Sequence, residues 1–324
     1  MKRIGWMTAG LAAATAAGTA LAVAETAMVE SRLPAYERVG GIAGNLNSVG
    51  SDTLNNLMTF WAEGFAKQYP NVKIQIEGKG SSTAPPALIA GMAQLGPMSR
   101  PMKASENDAF EKRYGYKPTA VAVALDALGV YVNKDTPIQS LSLEQVDAIF
   151  SSTRACGGKA DISNWSQLGL GPEWNHPISL YGRNSASGTY GYFKDNALCK
   201  GDDKSSVKEQ PGSATVVEGV SNDRYAIGYS GMGYRTAGVR LVPLAGVGSS
   251  SVYEATADNV YAGTYPLSRY LYVYVNKAPG KPFDPLVKQF LTYVLSQEGQ
   301  QVVVKDGFIP LLKEIVDVEM KKLE

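Results

Sequence analysis

The feature that most constrains this 324-residue chain is a unit it uses three times: an apolar strand, a turn of glycine and hydroxyl residues, and the start of a helix. In the first, a short strand at Asn45–Val49 leads into Gly50-Ser51-Asp52-Thr53. Leu54, Leu57, Met58, Trp61 and Phe65 then follow at helical spacing. In the second, Val72, Ile74 and Ile76 alternate with Lys73, Gln75 and Glu77. Next come Gly78-Lys79-Gly80-Ser81-Ser82-Thr83 and a helix starting near Pro85-Pro86, with Leu88, Ile89 and Met92 on its apolar face. In the third, a strand at Pro177–Tyr181 enters Gly182-Arg183-Asn184-Ser185-Ala186-Ser187-Gly188-Thr189, before the aromatic run Tyr190, Tyr192 and Phe193. Alternating strands and helices imply an α/β protein with mostly parallel sheets, whose ligands bind beyond the carboxyl ends of the strands.

The turns carry the chemistry. The first N–H groups of a helix have no partner within it, and its N-terminus favours anions. Serine and threonine add hydroxyl donors, and Arg183 adds a planar, permanent cation suited to phosphate or carboxylate. A fourth loop, 96–101, brings Ser99 and Arg100. Together these residues describe an oxyanion cradle split between the first part of the chain and its middle, so that two lobes would close on the ligand. Each turn taken alone also fits an ordinary helix cap. Arg100 also fits a surface ion pair.

The rest of the chain supplies further elements. A polar helix is expected at about Ser105–Tyr114, and the apolar run Val121–Val132 fits one or two buried strands. A helix at Leu141–Phe150 would be capped by Ser140 or Ser142. Ser151–Asn175 and Ala197–Pro211 read as loops, separated from the later strands Ala226–Tyr229 and Val239–Leu244 by a helix at Ser213–Val220. Leu267–Val275 alternates as a strand, with Tyr270, Tyr272 and Tyr274 on one face. A helix follows at Pro282–Leu295, and Gly299–Leu312 reads as a passage to a short C-terminal helix. Tyr131-Val132-Asn133-Lys134 returns as Tyr274-Val275-Asn276-Lys277, which suggests two strands beside a pair of domain crossings.

Residues 1–24 read as a secretory signal peptide: Lys2 and Arg3, an Ala-rich apolar stretch, and Ala22-Val23-Ala24 before Glu25. Glu25 to Gly44 reads as an extended leader against the first domain. Without Lys2 and Arg3 the chain has 29 Lys+Arg against 30 Asp+Glu, a net charge of −1. That balance offers no footprint for nucleic acid, so a bound anion must be held locally. Cys156 and Cys199, an even pair in an exported chain, suggest a disulfide, with two free thiols as the alternative. No metal site or other cofactor is expected, since His176 is the only histidine and reads as a surface residue. A serine hydrolase or phosphatase is disfavoured. Gly228-Tyr229-Ser230-Gly231-Met232 lacks the second glycine of a nucleophile elbow, and His176 is the sole imidazole base.

From Gly44 to Leu323 the chain resembles the phosphate-binding proteins of bacterial high-affinity phosphate ABC transporters, the PstS family, and in particular its pseudomonad-type branch. The resemblance rests on SVGSDT at 48–53, GSSTAPPAL at 80–88, LGPMSRPM at 95–102, RNSASGT at 183–189 and YPLSR at 265–269. It implies a two-lobed type II periplasmic-binding-protein fold with two crossing strands. Lobe I would be 44–125 with 266–324, lobe II 126–265, and the leader 25–43. It implies a monomeric periplasmic or cell-surface carrier that binds inorganic phosphate and hands it to an inner-membrane permease. Ligand contacts are implied for Ser51 and Thr53, for Ser81 and Ser82, and for Arg183, Ser187, Gly188 and Thr189. Two departures stand out. Ser99 lies where many members carry the aspartate that accepts the proton of hydrogen phosphate and so excludes sulfate. Ser185 replaces an aspartate that braces the site arginine. Asp52 is then the expected proton acceptor, with Arg100 and Arg183 as charge partners. Another tetrahedral oxyanion (sulfate, arsenate, molybdate) and an extracellular adhesive or structural role are the alternatives.

Overall fold

A computed structural model describes residues 28–324. The expected signal peptide lies outside the described residues. In chain order the elements are β1 (Gly44–Val49), α1 (Asn55–Gln68), β2 (Val72–Glu77), α2 (Ala84–Ile89), β3 (Gly96–Met98), α3 (Ala104–Tyr114) and β4 (Thr119–Asn133). Then follow β5 (Leu141–Ser142), α4 (Leu143–Phe150), β6 (Ser179–Arg183), α5 (Gly188–Asn196), β7 (Lys208–Gln210), α6 (Ser213–Asn222), β8 (Ala226–Gly231) and β9 (Val239–Leu241). The chain ends with β10 (Leu244–Ala245), β11 (Val252–Tyr253), α7 (Ala257–Tyr261), β12 (Ser268–Val275), α8 (Pro285–Leu295), α9 (Gln297–Lys305) and α10 (Lys313–Lys321).

β4 organises the molecule. Its first part pairs antiparallel with β12, from Val275↔Thr119 to Ser268↔Ala127. From Leu128 onward it changes partner and pairs antiparallel with β8 and β9. Every residue of β4 from Val121 on is buried, which explains its near-continuous apolar sequence. β12 returns beside it, so these two central strands run in opposite directions. The expectation of mostly parallel sheets therefore holds at β1/β2 and β6/β7/β8 but fails at the centre, where β4 pairs antiparallel with β12, β8 and β9. The repeated Tyr-Val-Asn-Lys segments close these two strands.

Around β1 and β2 the core is aromatic. Trp61 and Phe65 of α1 are fully buried. Trp61 Nε1 donates to Gly299 O at 2.8 Å, and Phe65 meets Phe290 of α8 edge-on at 5.5 Å. Each such side chain contributes roughly 1.5–3 kcal/mol through burial. The leader joins this cluster: Tyr36 shares a hydrogen bond with Tyr69 at 2.8 Å and packs on Tyr293.

Three of the boundaries that differ from the sequence reading have a local cause. α2 stops at Ile89 and Met92 is exposed, because the helix gives way to a glycine in the left-handed region, Gly91, at φ +69°. Pro243 separates β9 from β10, where one strand was expected. Helix α9 starts at Gln297, two residues after α8, capped by Ser296. Gly299 sits inside it, packed so tightly on Tyr293 and Val294 that a side chain has no room. Cys156 and Cys199 form a disulfide that ties the loop after α4 to the end of α5. In the chain-entropy account a loop of that size contributes about 4 kcal/mol. None of the helices among the described residues is long and apolar enough to cross a membrane.

Candidate functional site

The glycine–hydroxyl turns converge on one buried place. The 50–53 turn is fixed by Ser51 N–H donating to Pro97 O at 2.8 Å and by Gly80 N–H donating to Gly50 O at 2.8 Å. Gly80 has φ +115°, and a Cβ there would lie 2.5 Å from Ala186 O, so a side chain is excluded by both conformation and space. Neither α1 nor α2 has a side-chain cap, so no capping side chain takes up their first N–H groups.

Contacts then cross between the lobes. Thr53 Oγ1 and Thr189 Oγ1 share a hydrogen bond at 2.9 Å, and both residues are buried. Ser82 N–H donates to Ala186 O at 3.1 Å. Tyr234 O–H reaches Asp52 O at 3.0 Å and Thr53 O at 3.2 Å. Ser81 Oγ accepts from Ser99 N–H at 3.0 Å and lies 3.3 Å from Ser99 Oγ. A Cβ on Gly188 would collide with Ser81 Oγ and lie 2.6 Å from Ser99 Oγ, so the start of α5 closes onto these serines only because residue 188 is glycine. Ser187 caps α5, accepting from Thr189 N–H and Tyr190 N–H, and its own O–H remains a donor.

Arg183 is buried. Its Nη1 donates to Ser213 Oγ at 2.7 Å and its Nη2 to Pro211 O at 3.1 Å, with Asp52 Oδ2 3.2 Å from Nη2. Its Nε is buried without a partner. Burial lowers the guanidinium from its ordinary value and the neighbouring Asp52 carboxylate opposes that shift. Asp52 Oδ2 also accepts from Ser213 N–H at 2.8 Å, capping α6, which has no side-chain cap of its own. Asp52 thus braces the site arginine, the task that Ser185, an exposed residue, does not perform.

Arg100 is engaged elsewhere. It makes a two-pronged pair with Glu106, both bonds 2.7 Å, and donates to Ser82 Oγ at 3.1 Å. Burial alone would raise Glu106, but hydrogen bonds from Arg100 and from the Lys103 backbone hold it below the usual carboxylate range. A guanidinium spent on a carboxylate in this way is a structural brace of the Ser99–Pro101 loop, a weaker candidate for meeting an anion than the sequence implied.

One buried cation escaped the turn-based reading. Arg269 on β12 contacts Asp126 on β4 through Nε at 2.9 Å and Nη2 at 2.7 Å. It also donates to Ser99 O at 2.9 Å and to Thr189 Oγ1 at 3.1 Å. The signal was present: Asp126 is the one charged residue in the apolar run Val121–Val132, and Arg269 closes the YPLSR segment. The convergence gathers hydroxyl and N–H donors of the kind that suit a small oxyanion. Among the described residues no group of three or more His, Cys, Asp and Glu could hold a metal ion.

A family model described as a PBP superfamily domain matches residues 15–298. The chain is 59% identical over 309 residues, 95% of each chain, to the phosphate-binding protein PstS of Pseudomonas aeruginosa. It is 30% identical to the protein SphX of Synechococcus elongatus over 81% of this chain and 76% of that one. Among solved structures, a putative phosphate ABC transporter substrate-binding protein with bound phosphate from Clostridium perfringens superposes with TM-score 0.70 at 26% identity, covering 83% of this chain and all of the other. An ABC-type phosphate transport receptor from Vibrio cholerae shares the fold, at TM-score 0.63 and 22% identity over 82% of this chain and all of that one.

Proposed function

The chain belongs to the PstS family of phosphate-binding proteins, and on that premise we propose that it captures inorganic phosphate between two closing lobes and delivers it to an ABC permease. The observation that carries this reading is the convergence of Thr53, Ser81, Gly188 and Thr189 onto one buried point, with Arg183, whose Nε is buried and unpartnered, held to Asp52, the neighbour of Thr53 in the chain. Ser51, Ser82 and Ser187 complete the donor set, with Arg100 bracing the loop that bears Ser99. The lobes are 44–125 with 266–324 and 126–265, hinged where β4 changes partner and where the chain returns at 262–268. The carrier works as a monomer in the periplasm or at the cell surface. Its chemistry is binding, without turnover of phosphate esters.

Two arginines face two aspartates here, so the paired site has no formal net charge. Affinity then comes from aimed hydrogen bonds in a water-excluded space more than from a field. Asp52 is the acceptor for the proton of hydrogen phosphate. Sulfate has no such proton at neutral pH and meets a carboxylate instead. Phosphate first bonds one lobe; closure then brings Thr189 to Thr53 and Asp52 to Arg183 and Ser213.

Calorimetric titration of the ligand-stripped protein with phosphate and with sulfate tests this reading. Tight phosphate binding without sulfate binding is expected, and Asp52→Asn should erase the preference. A selective protein whose preference survives Asp52→Asn would keep the carrier role and move the acceptor elsewhere. A protein that binds neither anion would end the reading, as would release of product from a chromogenic phosphate ester.

A further inference from the structure

We propose that Arg269, oriented by Asp126, is a second ligand-contacting cation, and that it turns the neighbouring hydroxyls so that this side of the site presents donors only. The proposal rests on the oxyanion reading given above. Its first support is placement. Arg269 and Asp126 are cross-strand partners in the β12/β4 register, both buried, at the strands that join the lobes. Their pairing is set by the sheet and does not wait for closure.

The second support is donor accounting. A guanidinium has five N–H groups and no acceptor. Nε–H and one Nη2–H go to Asp126 Oδ2, the other Nη2–H to Thr189 Oγ1, and one Nη1–H to Ser99 O. One Nη1–H is left over. Asp126 is satisfied as well, since its Oδ1 accepts from Met232 N–H at 3.0 Å. A buried pair satisfied this fully holds the guanidinium in a single orientation.

The third is the direction this imposes. Thr189 Oγ1 accepts from Arg269, so the hydroxyl of Thr189 must donate onward, to Thr53 Oγ1 or to a ligand. If Thr53 receives it, the hydroxyl of Thr53 is turned out as a donor. Ser81 Oγ likewise accepts a backbone N–H, which frees its hydrogen to donate. Traced from Arg269 through Thr189 to Thr53, and from Ser99 N–H to Ser81, each hydroxyl pair ends in a donor, so it takes unprotonated oxygens. The protonated oxygen of the ligand is then directed to the Asp52 flank.

The test replaces the pair with a neutral hydrogen-bonding one, Asp126→Asn with Arg269→Gln, alongside Arg269→Lys, which keeps a cation opposite Asp126. Both are melted without phosphate and then titrated with it. Expected are cooperative melting, phosphate binding weakened about 100-fold in the double variant, and an intermediate loss in Arg269→Lys. Binding within about threefold of wild type in the folded double variant would make the pair a mere rivet between strands and overturn the proposal. If the double variant does not fold, the structure of the wild-type phosphate complex decides: an Arg269 nitrogen within about 3.2 Å of an anion oxygen supports it, and none in reach refutes it. If the wild type takes sulfate and not phosphate, the phosphate reading fails, and the same variants titrated with sulfate judge Arg269 separately. Binding of neither anion removes both.

Discussion

Two arginine–aspartate pairs flank the same few hydroxyls, and they are built on opposite plans. Arg269 and Asp126 face each other across neighbouring strands, with Asp126 fully buried and the register of β4 and β12 holding them together. Arg183, at the end of β6, and Asp52, in the 50–53 turn, share no strand ladder, and Asp52 is 22% exposed in its side chain. The first pair is permanent and belongs to folding. On the closure proposed above, the second is conditional and belongs to that closure. The same two residue types would then serve different ends, because backbone hydrogen bonds bring one pair together and the proposed movement the other.

The comparison breaks most visibly at Asp126. Asp126→Ala leaves Arg269 buried and unpaired, and should cost about 3–5 kcal/mol of stability whether or not phosphate is present, read by urea unfolding in both conditions. A loss seen only with phosphate would mean that this pair too is conditional. Gly188→Ala comes next. The added Cβ would meet Ser81 and Ser99, and if the proposed opening parts them, the ligand-free melt should stay within about 1 kcal/mol of wild type while phosphate affinity falls about 100-fold by calorimetry. Asp52→Asn sharpens the contrast with Asp126. Its ligand-free stability should move by about 1 kcal/mol or less, its phosphate affinity by about tenfold, and its compaction on adding phosphate, read by small-angle scattering, should weaken.

The smallest effect lies behind Arg183. Tyr229 Oη accepts from the Arg183 backbone N–H at 3.2 Å, and its ring stacks on Phe193 of α5 at 3.8 Å. Near it Asp203 is pushed up to about 7, first by burial and then by the charge of Glu209. An aspartate raised on folding holds a proton in the native state that the unfolded chain releases. Its contribution therefore lowers stability as pH climbs from about 4 to about 7, and the loss is complete above that. Asp203→Asn should raise the melting temperature at pH 8 by about 3 °C and change it little at pH 4. Asp306, also raised to about 7 by burial, should keep part of the slope in that variant. A pH profile identical to wild type would remove Asp203 from the support of Arg183.

Local patterns made much of this legible. The turns at 50–53, 78–83 and 182–189 were found because glycine and hydroxyl residues between strand and helix patterns have a mechanical meaning, and the structure brings all three turns together. Trp61 and Phe65 were placed on a buried face by spacing alone. Helix α9 was missed because Gly299 reads as a break, and only its packing against Tyr293 and Val294 shows why a glycine is needed inside a helix there. Arg100 was overvalued because a cation beside hydroxyls looks available in sequence, and Glu106, six residues on, was not recognised as its partner.

By itself the sequence determined the alternation of strands and helices, the donor-rich turns, the even pair of cysteines and the family. These are properties of neighbours along the chain, where backbone preference and side-chain period act within a few residues. Tertiary structure decided which charges are free and which are spent. It gave Glu106 to Arg100, Asp52 to Arg183 and Asp126 to Arg269, and it set one pair in the strands and another in the cleft. Ion pairing depends on distances of a few ångströms between residues far apart in the chain, and on how much water is excluded between them. Composition and spacing carry neither quantity until the chain has folded.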